Sequence, residues 1–172
     1  MSRRATTLRR PALLAISLGI ATIVVAACSS DGESAQGTVA DTAAVTALVN
    51  WAAGEMPPEV DENGGVEAPI VYVTTESGGT LDAGLQASVV ETTTETATVR
   101  FADDRSEAVD DTSELMLVHD DGVMLVLGDL PEASRTLTVD VEWYRSIDET
   151  SNLVVTITAD ASGAIVTGSA AG

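Results

Sequence analysis

The side chains able to do chemistry are few and widely spaced. The 172-residue chain has one thiol, Cys28, and one imidazole, His119. Nucleophilic catalysis needs a base that titrates near neutrality, so a serine or cysteine triad would have to use His119. No Gly-x-Ser-x-Gly elbow accompanies it. If Asp121-Gly122 turns a hairpin, His119 lies across from Met124, with Leu117 and Val126 next on that face, which brings together a soft donor pair. Two ligands fall short of a metal site. Paired carboxylates can hydrolyse a glycoside, but 27 acids put some pair at a workable separation by chance. The run Asp103, Asp104, Glu107, Asp110, Asp111 and Glu114 reads as a solvated acidic face around a helical turn rather than a cation site. Residues 59–68 hold Asn63-Gly64-Gly65 with acids nearby, without the register or terminal glutamate of a calcium loop. Phosphate loops, dinucleotide fingerprints and zinc spacings are missing too. No catalytic residue, metal or cofactor is assigned.

The remaining chemistry is that of Cys28 itself. Residues 1–10 hold Arg3, Arg4, Arg9 and Arg10 and no acid; Pro11 then opens an apolar run over residues 12–27, broken only by Ser17, Gly19 and Thr22. A basic start before a short apolar stretch is the anatomy of an export signal. The run is shorter than the roughly 20 residues a membrane-spanning helix needs. It closes on Val25-Ala26-Ala27-Cys28, which resembles the lipobox of bacterial lipoproteins: a branched apolar residue, two small ones, then cysteine.

The resemblance covers residues 1–28 only. It implies that a diacylglyceryl group is joined to the Cys28 thiol, that a dedicated peptidase cuts just before Cys28, and that the new amino terminus is open to acylation. The residue types suit this chemistry. Only a thiol offers a thioether nucleophile, and small residues let an extended leader enter a peptidase cleft. Each buried CH₂ contributes about 0.8 kcal/mol, so one acyl chain attaches marginally and two anchor stably. The competing readings are a plain secretory leader cut after Ala27 and an uncut membrane anchor. The doublets Arg3-Arg4 and Arg9-Arg10 leave the general and twin-arginine export routes both open.

All eight basic residues are arginines, and every one of the 27 acids follows Cys28. Only Arg100, Arg105, Arg135 and Arg145 oppose them, so the chain from Cys28 onward carries a net charge of −23. Such a surface repels phosphate backbones, which excludes nucleic acid as a partner. A hydrophobic content of 45% with regular alternation points to a folded domain despite that charge. With one cysteine there is no internal disulfide, and about 145 residues suffice for a core without one.

These residues must be positioned by the elements that follow the leader. Residues 28–40 read as the lipidated cysteine and a small, polar tether, and residues 41–172 as a single globular domain. Val45, Leu48, Val49 and Ala52 recur at helical spacing over residues 41–53, with Asp41 or Thr42 as cap and Pro57-Pro58 as stop, which predicts an amphipathic helix. Its Trp51 is expected to anchor the helix to a sheet. Beyond Pro69 the period becomes two, predicting strands over 70–74, 84–91, 96–102, 114–119, 123–127, 135–144, 152–159 and 164–167. Leu137, Val139, Val141 and Trp143 share one face of the sixth; Thr138, Asp140, Glu142 and Tyr144 share the other. The expected fold is α+β, one N-terminal helix packed on a mostly antiparallel meander sheet. The alternative is a β-sandwich with an appended helix.

The function expected is that of a lipid-anchored protein on the extracytoplasmic face of the cell membrane. It would act as a non-enzymatic binding or interaction module for an envelope protein or small ligand. Thr136, Thr138, Asp140, Glu142 and Tyr144, beside Thr156 and Thr158, offer one surface for this. Two alternatives stand: a carboxylate-dependent envelope hydrolase, which needs an acid of strongly raised pKa in a cleft, and a lipid or glycolipid carrier with a hollow interior.

Overall fold

A computed structural model describes residues 40–60, 63–78, 81–160 and 163–172. Val25, Ala26, Ala27 and Cys28 lie outside the described residues. Residues 41–53 are rich in alanine and free of glycine and proline, a composition that favours helix, and α1 spans Asp41–Glu55. Its cap is Ala40, without a side-chain bond; Asp41 instead sits in the first turn, where a carboxylate meets the positive helix end. The Met56 amide donates to the Ala53 carbonyl and Pro57-Pro58 prevent a further turn. Ala44, Val45, Leu48, Val49 and Ala52 are fully buried. Residues 59–68, expected as a loop, contain a short antiparallel ladder of β1 (Glu59–Val60) with β2 (Val66–Glu67).

The main sheet has six strands: β3 (Ile70–Thr75), β4 (Thr98–Phe101), β5 (Val123–Leu127), β6 (Thr136–Ser146), β7 (Glu149–Asp160) and β8 (Gly163–Ala171). Their order is β4-β3-β5-β6-β7-β8. From β5 to β8 the pairing is an antiparallel meander, whereas β3 pairs in parallel with both β4 and β5. Among the described residues, two α-helices and a six-stranded mixed sheet make the fold α+β, and the main sheet is not split into a sandwich.

The parallel pairs explain where the expected strands fail. Residues 84–91 form not a strand but most of α2 (Ala83–Thr93). Parallel neighbours need a crossover, usually helical, and α2 carries the chain from β3 to β4. The overlooked signal is Asp82, whose carboxylate accepts from the amides of Gly84 at 2.8 Å and Leu85 at 3.2 Å. Replacing Asp82 with alanine is expected to lower stability by about 1 kcal/mol in a urea titration, the usual loss of an N-cap.

Residues 114–119 are not a strand either. A strand there would need β5 as its neighbour, and both edges of β5 are already taken, by β3 and β6. The segment belongs instead to the connection from β4 to β5, which crosses the sheet face opposite the helices and is closed by a bridge between Val109 and Val118. Leu115 and Leu117 are exposed, and Met116 takes a positive φ of 48°. Asp121-Gly122 therefore turns no hairpin. His119–Asp121 is a single 3₁₀ turn, with Asp120 and Asp121 at φ of 55° and 52°. A Cβ on Gly122 would lie 2.8 Å from the Ile70 carbonyl oxygen, so the glycine is required by close approach to β3.

The sheet is thus covered on both faces. On the helix side, α1 and α2 pack on Val71, Val73, Val123, Leu125, Leu127, Leu137, Val139, Val141, Val155 and Ile157. On the other, the crossover lays Ala108, Val109 and Val118 against Tyr72, Met124, Val126 and Tyr144. β5 is consequently buried at all five positions, as its unbroken apolar run implies. Along β6, Leu137, Val139 and Val141 point inward while Thr136, Thr138 and Asp140 are exposed; Tyr144 is buried where the crossover covers it.

Candidate functional site

The crossover is held by two arginine–tyrosine units. In the β3–β4 register Arg100 sits beside Tyr72. Its guanidinium donates to the Tyr72 hydroxyl at 2.6 Å, forms an ion pair with Asp120, and lies 5.5 Å from the Tyr72 ring centre. Arg105 donates to Glu142 at 2.9 Å and lies 4.0 Å from the Tyr144 ring centre. Both tyrosines of the chain lie against an arginine in this way; the Tyr72 hydroxyl donates to Asp120 at 3.3 Å and the Tyr144 hydroxyl to the Met116 carbonyl at 2.8 Å. The Arg100–Asp120 pair is about half exposed, so its Coulomb contribution is small and its role is to fix the geometry of the turn.

Asp104 and Asp110, within residues 103–114, act locally. Asp104 accepts from the Ser106 amide at 2.8 Å; Asp110 accepts from the Thr112 amide at 3.0 Å and hydroxyl at 2.6 Å. Three carboxyls are held below the usual carboxylate range: Asp104 by the Ser106 amide, Asp110 by the Thr112 hydroxyl, and Asp120 by the Arg100 guanidinium. Depression is the opposite of what a proton-donating acid requires. The stability such groups contribute is present above the unfolded carboxylate pKa of about 3.9 and is lost as pH falls through the lower folded values. Acid below about pH 4 is therefore expected to loosen the crossover. In hydrogen exchange the Asp110 and His119 amides, bonded to Leu117 and Ala108, should lose protection before the β6–β7 ladder does.

His119 and Met124 do not face each other. His119 is exposed on the 3₁₀ turn, whereas Met124 is fully buried in β5 between its register partners Tyr72 and Tyr144. Among the described residues no group of three or more histidine, cysteine, aspartate or glutamate side chains could hold a metal ion. The threonine surface does come together: Thr136 pairs with Thr158 and Thr138 with Thr156 across β6 and β7. Thr167 of β8 adds its hydroxyl 3.2 Å from that of Thr158.

A different feature escaped sequence reasoning. The two tryptophans, 92 positions apart in the chain, line one cleft of about 300 Å³ together with Glu55, Ser151, Leu153 and Ser169. The core face of the sheet explains the hollow. Large residues meet large ones at Leu137–Ile157, Val139–Val155 and Val141–Leu153, but the next pair is Trp143–Ser151, and Ser169 of β8 faces Val155. Small side chains thus leave an open depression beside Trp143, and Trp51 of α1 borders it. The indole N–H of Trp143 is buried and meets no acceptor among the described residues, a cost of about 1–3 kcal/mol. Trp51 does pack against the core, as expected of an anchor, and also borders the cleft.

Comparison with protein-family models, with curated proteins and with solved structures finds no match to the chain. Among the described residues no helix is long and apolar enough to cross a membrane.

Proposed function

We propose that the chain is a cell-envelope lipoprotein, held on the extracytoplasmic face of the membrane through an acylated Cys28, and that residues 41–172 are a non-enzymatic binding or interaction module. One observation carries this reading: the basic start, the short apolar run and Val25-Ala26-Ala27-Cys28 stand in the order that export and acylation require. The tether then lifts the domain from the bilayer, and α1 ties the tether to the sheet. Its partner is an envelope protein or a small ligand. The packing of β5 on both faces gives no reason to prefer a hollow carrier.

The test is fractionation of cells that express the chain. The protein should sediment with membranes, resist extraction by high salt, dissolve in non-ionic detergent, and be digested by protease added outside the cytoplasmic membrane. Recovery in the soluble fraction would refute the anchored reading.

A further inference from the structure

We infer that the Trp51–Trp143 cleft binds an organic cation of the quaternary or alkylammonium class, a proposal that deepens the binding-module reading and rests on it only for location. Tryptophan is the strongest aromatic partner for such a cation, and both tryptophans of the chain line this one cleft. Glu55 stands exposed at the rim, and none of Arg100, Arg105, Arg135 and Arg145 lines it. The net charge of −23 beyond the leader raises the local concentration of cations and repels anions. A volume of about 300 Å³ is at the lower end of small-molecule sites, which suits a headgroup-sized ligand. The small side chains Ser151 and Ser169 leave the space, and Leu153 supplies an apolar wall for the alkyl groups. A groove of similar size beside Pro57, Pro58 and Val66 has no aromatic ring.

The probe is choline, added at constant ionic strength to the full acylated protein in non-ionic detergent, with tryptophan emission as the readout. A saturable change is expected, with affinity at least about tenfold tighter than for the uncharged isostere in which tert-butyl replaces trimethylammonium. Glu55→Gln should weaken choline by about two- to fivefold, as for an exposed ion pair, and Trp51→Leu should abolish the response. Trp51→Phe, which keeps a ring on the same face, guards against misfolding and should retain weakened binding. Glycerophosphocholine distinguishes the two sources of this chemistry. Weaker binding than choline, expected because Glu55 repels the phosphate, assigns the cleft to free cations; tighter binding assigns it to lipid headgroups. Equal affinity for the uncharged isostere, saturation by methyl glucoside instead, or no saturable response below about 100 mM choline would overturn the proposal. Acyl mass measured on the same sample reports the anchor separately, so a silent cleft on an acylated protein removes the ligand class and leaves the location standing.

Discussion

Replacing Cys28 with serine is expected to abolish fatty-acid incorporation and move exported protein from the detergent phase to the aqueous phase. Serine is nearly the same size, so the change removes the thioether and little else. Two acyl chains bury enough CH₂ groups, at about 0.8 kcal/mol each, to make release negligible while they are present. Without them a body of net charge −23 has no apolar grip on an anionic bilayer. Chains whose leader stays uncut will also lack the label, so labelled fatty acid distinguishes the variant in either fate. The unfolding midpoint should be unchanged, because the tether lies between Cys28 and the domain. A Cys28→Ser protein that still takes up fatty acid would mean another residue carries the lipid.

Leu125→Ala is expected to cost about 3–4 kcal/mol, within the range for deleting a buried leucine. Leu125 is fully buried at the centre of β5, flanked by Val73 on one strand and Trp143 on the other, under the two helices. A domain with a total stability of about 5–15 kcal/mol loses a large share of it. The urea midpoint should fall by about 2 M if the slope is near 1.5–2 kcal/mol per M. Leu115→Ala is the informative control. Leu115 is 47% exposed on the crossover, so its loss should change stability by less than about 0.5 kcal/mol. Comparable losses from the two variants would favour the hairpin expected from Asp121-Gly122 over the parallel arrangement.

What could be read in the sequence follows from what is local. The alternation of Leu137, Val139 and Val141 with Thr136, Thr138 and Asp140 registers burial on one side and solvent on the other, and β6 shows both. The solid apolar run Val123–Leu127 registers burial on two sides, which holds although its neighbours were misassigned. Leu85, Ala87 and Val89 alternate with Gln86 and Ser88 too, but whether β3 returns by a tight turn or crosses over α2 depends on the remote strand it pairs with. Leu115 and Leu117 look like core residues because nothing local reveals that both edges of β5 are occupied. The tryptophan cleft was illegible for the same reason. Trp51 and Trp143 each look like a core anchor alone, and only the fold sets them around the space left by Ser151 and Ser169.

After Cys28, four arginines against 27 acids leave little basic surface. Three of them are committed internally, Arg100 to Asp120, Arg105 to Glu142 and Arg145 to Glu149.

The most direct test is the intact mass of the protein isolated from its own membrane. The account predicts a chain that begins at Cys28 and is heavier than its sequence by a diacylglyceryl group, with or without a further acyl chain on the new amino terminus. A bare Cys28 thiol, or residues 1–27 still attached, would contradict it.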